Sequence, residues 1–231
     1  MIEVRPFESL GRFDAGWLDA HYHFSFGDYH DPSRMGLGPL RVWNDDRVQP
    51  GGGFPPHPHR DFEIITYVRQ GAVSHEDSLG NRGRTAAGDV QVMSAGTGVV
   101  HSEFNADDED LTLFQIWVRP DRMGLAPRWE TRRFDLANRQ GGLVTLASGR
   151  GTTDGALRIY QDVVLLAGIL APGAEARHAL RGGNAYLVPA RGAIEVNGHK
   201  ALARAGVIVA GEPELRIRAI DEAEVVVMDL P

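Results

Sequence analysis

The chain has 231 residues, of which 42% are hydrophobic and 24% are charged, and its formal net charge is −7. This composition is typical of a globular protein, and the negative charge provides no attraction to nucleic acid or to anionic membranes. The absence of cysteine excludes disulfides, thiolate catalysis and cysteine-ligated metal sites. Any metal site must therefore use His, Asp, Glu or backbone oxygen, and we expect neither direct nucleic-acid binding nor membrane binding.

No segment has the pattern of a membrane span or of a signal peptide. The longest apolar run, residues 163–171, is interrupted by Gly168 and is far shorter than the roughly 18 residues that a membrane span needs. Residues 1–6 show no basic leader, and no apolar stretch follows them. We therefore expect a cytoplasmic protein.

The predicted secondary structure is almost entirely β-strand. Residues 62–68, 111–118 and 214–220 are rich in β-branched and aromatic side chains, and turns containing glycine bound them. The pair Asn197-Gly198 is a strong signal for a two-residue hairpin. No long stretch shows a 3.6-residue period, so helices should be few and short. Short strands at close spacing predict an all-β sandwich or barrel.

The length allows one large domain or two small ones, and internal similarity favours two. Two pairs of segments are similar: residues 71–73 to 192–194, and residues 86–92 to 203–209. Such self-similarity is typical of one structural unit used twice. The predicted division is an N-terminal metal-binding domain, a Gly- and Arg-rich connection and a C-terminal domain with a degenerate site, at residues 1–120, 121–156 and 157–231.

Two short motifs in the first half carry the candidate metal ligands. His57-Pro58-His59 places two imidazoles at positions i and i+2, which face the same side of an extended strand. His101-Ser102-Glu103 repeats this spacing with an imidazole and a carboxylate. If the two strands are neighbours, four side chains converge on one metal ion: His57, His59, His101 and Glu103.

The other histidines are interpreted as structural or solvated. His21 and His23 have the same i, i+2 spacing, but no carboxylate-bearing motif accompanies them, so we expect packing or hydrogen bonding. His30, His75 and His199 lie in polar loops or hairpins and are expected to be solvated.

The second half of the chain lacks a complete ligand set. By the repeat spacing, His178 corresponds to His57. The positions matching His59, Glu63 and His101 are Leu180, Asn184 and Ala219. The C-terminal domain is therefore predicted to keep the scaffold without the metal site, with His178 contributing to stability.

Several motifs resemble those of a known family. Residues 51–71 are similar to the first cupin motif and residues 88–105 to the second. Six further segments resemble the pirins, which are two-cupin proteins: residues 16–20, 44–48, 57–60, 63–67, 75–78 and 93–103. The resemblance is dense over residues 16–120 and diffuse afterwards. It implies two cupin β-barrels of jelly-roll type packed together.

The resemblance also bears on the ligands. Glu63 would be a ligand in the general cupin pattern, but it occupies a position that pirins leave unligated, and Ser94 replaces the usual proline. In pirins the carboxylate ligand matches Glu103. Glu63 is therefore interpreted as a polar barrel residue or a partner of the ligands.

Three imidazoles and one carboxylate suit Fe(II), Mn, Co, Ni, Cu or Zn, and the ligand types do not choose among them. The resemblance favours one Fe(II) per chain. A structural zinc site also has four ligands, so the ligand count leaves both kinds of site open.

The pirin resemblance implies quercetin 2,3-dioxygenase activity on a small aromatic substrate with dioxygen. Glu103 is the candidate catalytic residue. Either Glu103, on loosening from the metal, or a metal-bound hydroxide would take the proton of the flavonol hydroxyl. The alternative is a metal-dependent regulatory or redox-sensing protein that contacts a protein partner without turnover. Aerobic cleavage of a flavonol would separate the two.

Overall fold

The computed structural model describes residues 1–151 and 155–231. Their regular structure is almost entirely β-strand. The strands up to residue 132 are β1 (Ile2–Arg5), β2 (Gly11–Asp14), β3 (Leu18–Tyr22), β4 (Leu40–Val48), β5 (Gly53–His59), β6 (Glu63–Gln70), β7 (Ala72–Asp77), β8 (Arg82–Ala86), β9 (Val90–Ser94), β10 (Val99–Phe104), β11 (Leu111–Val118) and β12 (Arg128–Arg132).

The later strands are β13 (Val144–Ser148), β14 (Leu157–Arg158), β15 (Val164–Leu170), β16 (Glu175–Ala179), β17 (Asn184–Arg191), β18 (Ile194–Val196), β19 (His199–Ala201), β20 (Gly206–Ala210), β21 (Glu214–Ala219) and β22 (Ala223–Leu230). The helical segments in the described parts of the chain are short 3₁₀ turns at Phe7–Ser9 and Leu136–Arg139. The prediction of an all-β protein with few short helices is confirmed.

The chain forms two compact units. The N-terminal unit comprises Gly11–Phe134 and Leu157–Gln161, and the C-terminal unit comprises Met1–Leu10, Asp135–Ala156 and Asp162–Pro231. The N-terminal strand β1 pairs with β20 and so belongs to the C-terminal unit. The predicted domain limits of 1–120, 121–156 and 157–231 stay a prediction.

Each unit contains two antiparallel sheets with matching strand order. In the N-terminal unit the orders are β12-β9-β6-β11-β4-β3-β2 and β5-β10-β7-β8. In the C-terminal unit they are β1-β20-β17-β22-β15-β13 and β16-β21-β18-β19. The predicted internal repeat is thus visible in the topology, and each unit has the two-sheet arrangement of a cupin barrel.

Glycines make the same turn in both units. Gly71 follows β6 with φ +70°, and Gly192 follows β17 with φ +73°. A Cβ atom at Gly71 would lie 2.9 Å from Asp110 O, and one at Gly192 would clash with Glu222 O. Both turns therefore need glycine for conformation and for space. The hairpin predicted at Asn197-Gly198 is also present, with positive φ at both residues.

The register corrects one predicted correspondence between the halves. Within the sheets, His101 is the Cα partner of His57 and Leu215 is the Cα partner of His178. Leu215, rather than Ala219, therefore matches His101. The hairpin between β18 and β19 is shorter than its N-terminal counterpart, and the sequence offset between the halves changes after it.

The interior of the C-terminal unit is an aliphatic core made by both of its sheets. Its members include Leu166, Leu187, Val207, Leu215, Ile217 and Val227. Among the described residues, no helix has the length and apolar character needed to span a membrane.

Candidate metal centre

Neighbouring strands bring the two histidine motifs together. Strand β10 pairs with β5 so that His101 lies opposite His57, and strand alternation turns His59 to the same face as His57. The ring centroids of these histidines are 4.5 to 4.9 Å apart. One nitrogen of each ring lies within 4.8 Å of one nitrogen of each other ring. This spacing suits the binding of one metal ion.

The three imidazoles have lone pairs available for a metal. His57 Nδ1 lies 2.8 Å from Pro55 O. Because a carbonyl oxygen only accepts, Nδ1 carries the proton and the lone pair is on Nε2. Burial lowers the pKa of His59 to about 4. Burial, followed by the effect of neighbouring His57, lowers the pKa of His101 to about 2. Both rings are therefore neutral at neutral pH, as metal ligation requires.

The fourth predicted residue, Glu103, is buried two positions after His101. Its carboxylate accepts hydrogen bonds from Gln91 Nε2 at 2.5 Å and from Gln115 Nε2 at 2.8 Å. Burial raises the pKa of Glu103 to about 7. Glu103 lies within ligand distance of His101 and His75, so His101 is shared between this group and the cluster with His57 and His59.

The amides that hold Glu103 belong to a polar row that the sequence motifs do not show. Thr66, Gln91 and Gln115 are register partners on β6, β9 and β11. Gln91 Nε2 donates to Thr66 Oγ1 at 3.2 Å, and Thr66 Oγ1 donates to Gln115 Oε1 at 3.0 Å. The sequence signal for this row is the presence of polar side chains in otherwise apolar strands. Such side chains need hydrogen-bond partners when they are buried.

The prediction that His75 is solvated is wrong. Its side chain is buried, with Nε2 3.1 Å from Asp77 Oδ2 and Nδ1 3.4 Å from His101 Nδ1. Its ring stacks on Trp129 at a centroid distance of 4.8 Å. The polar composition of residues 75–78 suggested a loop, but β7 is an inner strand of its sheet, and alternation turns His75 and Asp77 inward.

The remaining histidines lie outside the cluster. His30 and His199 are exposed, as predicted. His23 is buried and its ring packs 6.3 Å from that of Trp43. His178 Nε2 lies 2.9 Å from Asp229 Oδ2 in the C-terminal unit.

Glu63 is buried, but it does not belong to either ligand group. It lies on the face of β6 opposite to Ile64 and Thr66. Its carboxylate accepts a hydrogen bond from Ser94 Oγ at 2.8 Å and one from the Tyr160 backbone N–H at 3.3 Å. The two departures from the cupin pattern, Glu63 and Ser94, are therefore partners of each other.

A cavity of about 210 Å³ adjoins the histidine cluster. His57, His59, His101 and Glu103 line one part of it. Aromatic and aliphatic walls make up most of the rest: Leu18, Ala20, Tyr22, Phe26, Phe54, Ile64 and Trp117.

Asn44, Asp46 and Gln115 are buried polar residues that also line this cavity. Asn44 Oδ1 and Asp46 Oδ1 have no hydrogen-bond partner among the described residues. Burial, reinforced by the nearby Asp45, raises the pKa of Asp46 to about 8. These oxygens can bind hydroxyl groups of a molecule in the cavity, because buried polar atoms are normally paired.

The residues present fit a divalent transition metal. His101 Nε2 is buried and has no hydrogen-bond partner within the described part of the chain, as expected of a nitrogen that binds a metal. Neutral imidazoles with a nearby carboxylate are the ligand types that such metals prefer. The fold and the cluster together define a two-cupin protein with a candidate metal site.

The chain belongs to the pirin family. It matches the Pirin family over residues 3–118 and the family described as Quercetinase C-terminal cupin domain over residues 145–230. A pirin-like protein of Caulobacter vibrioides is 50% identical over 99% of both chains. A protein of Escherichia coli K12 named quercetin 2,3-dioxygenase is 40% identical over 100% of this chain and 99% of its own.

A solved structure supports the same assignment. The bacterial pirin YhhW from Escherichia coli, in complex with nickel(II), has a TM-score of 0.94 and 40% identity, covering 100% of this chain and 99% of its own. The predicted pirin resemblance and the two-cupin fold are confirmed.

Proposed function

We propose that this protein is a metal-dependent dioxygenase that opens the ring of a flavonol such as quercetin. The observation that carries the proposal is the cluster of His57, His59 and His101 at an aromatic-lined cavity. The relatives named quercetin 2,3-dioxygenase support the reaction class.

In this proposal one divalent transition metal per chain is held by His57, His59, His101 and Glu103. Fe(II) is the favoured ion, and the ligand set also accepts Mn, Co, Ni, Cu or Zn. When bound, the metal supplies Lewis acidity and the redox chemistry that reaction with dioxygen requires.

Glu103 is proposed to take the proton of the flavonol hydroxyl at its carboxylate. Gln91 and Gln115 each donate to a different oxygen of this carboxylate and so fix its orientation. Without metal, burial raises the pKa of Glu103 to about 7. As a proposed ligand, Glu103 would act as the general base only after it has loosened from the metal.

The cavity walls are proposed to select the substrate. Phe54 and Trp117 provide apolar surface for aromatic rings and exclude water. Asn44 Oδ1 and Asp46 Oδ1, which have no partner within the described ranges, would hydrogen bond with substrate hydroxyls. A flat polyphenol combines both features.

The test is aerobic turnover of quercetin by iron-loaded protein, followed by loss of the flavonol absorbance together with oxygen uptake and release of carbon monoxide. Anaerobic samples and metal-free protein should show no cleavage. If no divalent metal supports cleavage, the reaction assignment is wrong, and the regulatory function without turnover becomes the better explanation of the site.

Glu103→Gln tests the proton acceptor. This variant keeps the size and a carbonyl oxygen but removes the basicity, so kcat should fall roughly 10²-fold or more. Metal content should fall less, because three imidazoles remain. Normal turnover with full metal would show that Glu103 is not the base.

A further inference from the structure

Strand β7 lies beside β10 and brings two buried side chains next to the histidine cluster. Asp77 is the Cα partner of His101, and His75 is the Cα partner of Glu103. The side chains of His75 and Asp77 are fully buried. They form a continuous line of contacts: Asp77 Oδ2 lies 3.1 Å from His75 Nε2, and His75 Nδ1 lies 3.4 Å from His101 Nδ1.

We propose that Asp77 and His75 form a hydrogen-bond relay that fixes the tautomer and the orientation of His101. In this relay His75 donates from Nε2 to Asp77, and His101 donates from Nδ1 to His75. The lone pair of His101 is then on Nε2, which has no hydrogen-bond partner among residues 1–151 and 155–231. The inference rests on the proposed metal site, in which His101 is a ligand.

The proton positions follow from the donor and acceptor inventory. An ionised carboxylate only accepts, so the proton in the Asp77 contact belongs to His75 Nε2. A neutral imidazole has one N–H, so His75 Nδ1 must accept. The proton between the two rings therefore belongs to His101 Nδ1.

Charges around the relay agree with this assignment. Hydrogen bonds from Asn81, from His75 and from the Leu79 backbone N–H lower the pKa of Asp77 despite its burial, so it is ionised at neutral pH.

Asp77 and His75 are both held in place by further contacts. Asp77 Oδ1 accepts from the backbone N–H groups of Leu79 at 2.9 Å and Asn81 at 3.1 Å. The ring of His75 stacks on Trp129 with an interplanar angle of 8°. Trp129 Nε1 in turn donates to Gln91 Oε1 at 3.3 Å, and Gln91 holds Glu103. Trp129 therefore supports both proposed ligands on β10, His101 through His75 and Glu103 through Gln91.

The relay also explains why His75 is a positioning residue and not a fifth ligand. Both of its nitrogens are engaged, one with Asp77 and one with His101. In the C-terminal unit, Val196 occupies the position of His75, since it is the Cα partner of Ile217 as His75 is of Glu103. The relay and the ligand it serves are absent there together.

Three substitutions separate the relay from simple packing. His75→Phe keeps an aromatic ring on Trp129 but removes the acceptor. His75→Asn restores an acceptor close to the position of Nδ1. Asp77→Asn removes the charge at the end of the relay. His178→Phe breaks a His–Asp pair that contacts no proposed ligand and serves as the matched control.

The first measurement is the tautomer of His101 in metal-free protein, from long-range ¹H–¹⁵N spectra of the imidazole rings. The wild type should show the proton on Nδ1. In His75→Phe this preference should be lost, and His75→Asn should restore it. A wild-type proton on Nε2 would overturn the relay.

The second measurement is nickel(II) affinity, by competition with a chelator. Loss of such a partner typically weakens metal binding 10–100-fold, and this is the expected loss for His75→Phe and Asp77→Asn. His75→Asn should stay within a few-fold of the wild type, and His178→Phe should be unchanged. Equal loss in His75→Phe and His75→Asn, with both variants folded, would overturn the acceptor role of His75.

The metal site and the relay would be contradicted by different results. If wild-type protein binds no nickel but His101 carries its proton on Nδ1, the metal site is wrong and the relay stands. If metal binds with wild-type affinity to His75→Phe, the relay is wrong and the metal site stands.

Discussion

The two cupin units share a backbone plan but have opposite interiors. Five interior positions that the strand registers match are polar in the N-terminal unit and aliphatic in the C-terminal unit. The matched pairs are Thr66 and Leu187, Gln91 and Val207, Gln115 and Val227, His101 and Leu215, and Glu103 and Ile217. Strand order and register therefore set the positions of these residues, and the side chains at those positions determine whether the interior is a site or a core.

The difference has an energetic reason. Each buried aliphatic side chain contributes about 1.5–3 kcal/mol by leaving water. A buried polar group is costly unless it is hydrogen bonded. The N-terminal unit tolerates Glu103 because Gln91 and Gln115 pair with it, whereas the aliphatic core would offer no such partner.

We expect the greatest change in the metal content of a variant that lacks two of the proposed ligands. Wild-type protein should contain close to one metal ion per chain, and His57→Ala combined with His101→Ala should abolish binding, because two of three clustered imidazoles are lost. Elemental analysis of purified protein measures this. Stoichiometric metal in the double variant would show that the site lies elsewhere.

A carboxylate placed in the aliphatic interior should be strongly destabilising. Ile217→Glu puts an unpaired acid at the position that matches Glu103, and it should lower the free energy of unfolding by about 3–5 kcal/mol. Urea denaturation measures the loss. Ile220→Glu, at an exposed position close by, is the control and should change stability little. Equal stability of the two variants would contradict the comparison of interiors.

The N-terminal interior should also make stability depend on pH. Burial raises the pKa of Asp46 to about 8, above its unfolded value, so the folded state binds this proton more tightly. The resulting contribution to the free energy of unfolding is fully present below the unfolded pKa of Asp46 and is lost as the pH rises through about 8. The C-terminal unit has Gly168 at the matching position and lacks this group.

Asp46→Asn should remove that pH dependence. In metal-free protein, the variant should be more stable than the wild type at pH 9, by on the order of 3 kcal/mol. Urea unfolding at pH values from about 5 to about 9 measures the free energy of unfolding of both proteins. If wild type and variant show parallel pH profiles, Asp46 is not the buried acid responsible.

The smallest expected effect is at His178. It is the counterpart of His57, but its register partner is Leu215 and its ring is paired with Asp229. His178→Ala should leave metal content unchanged and should lower stability by about 1 kcal/mol. Loss of half of the metal would show that the C-terminal unit binds metal as well.

The local features of this protein can be predicted from short segments of its sequence. Alternating apolar strands, the Asn197-Gly198 hairpin and the paired spacing of His57 and His59 are all written in short segments, because strand periodicity acts on neighbouring residues. The internal repeat could be recognised for the same reason, since Gly71 and Gly192 make equivalent turns.

Which strands are neighbours, and in which register they pair, depends on contacts between distant parts of the chain. His75 looked solvated because its own segment is polar, and its burial depends on β7 pairing with β10. The partners of Glu103 come from β9 and β11, and the match of His101 to Leu215 depends on the length of a distant hairpin. Cross-strand register joins residues far apart in the chain, and a slip of one residue turns each side chain to the other face, so local patterns do not determine these contacts.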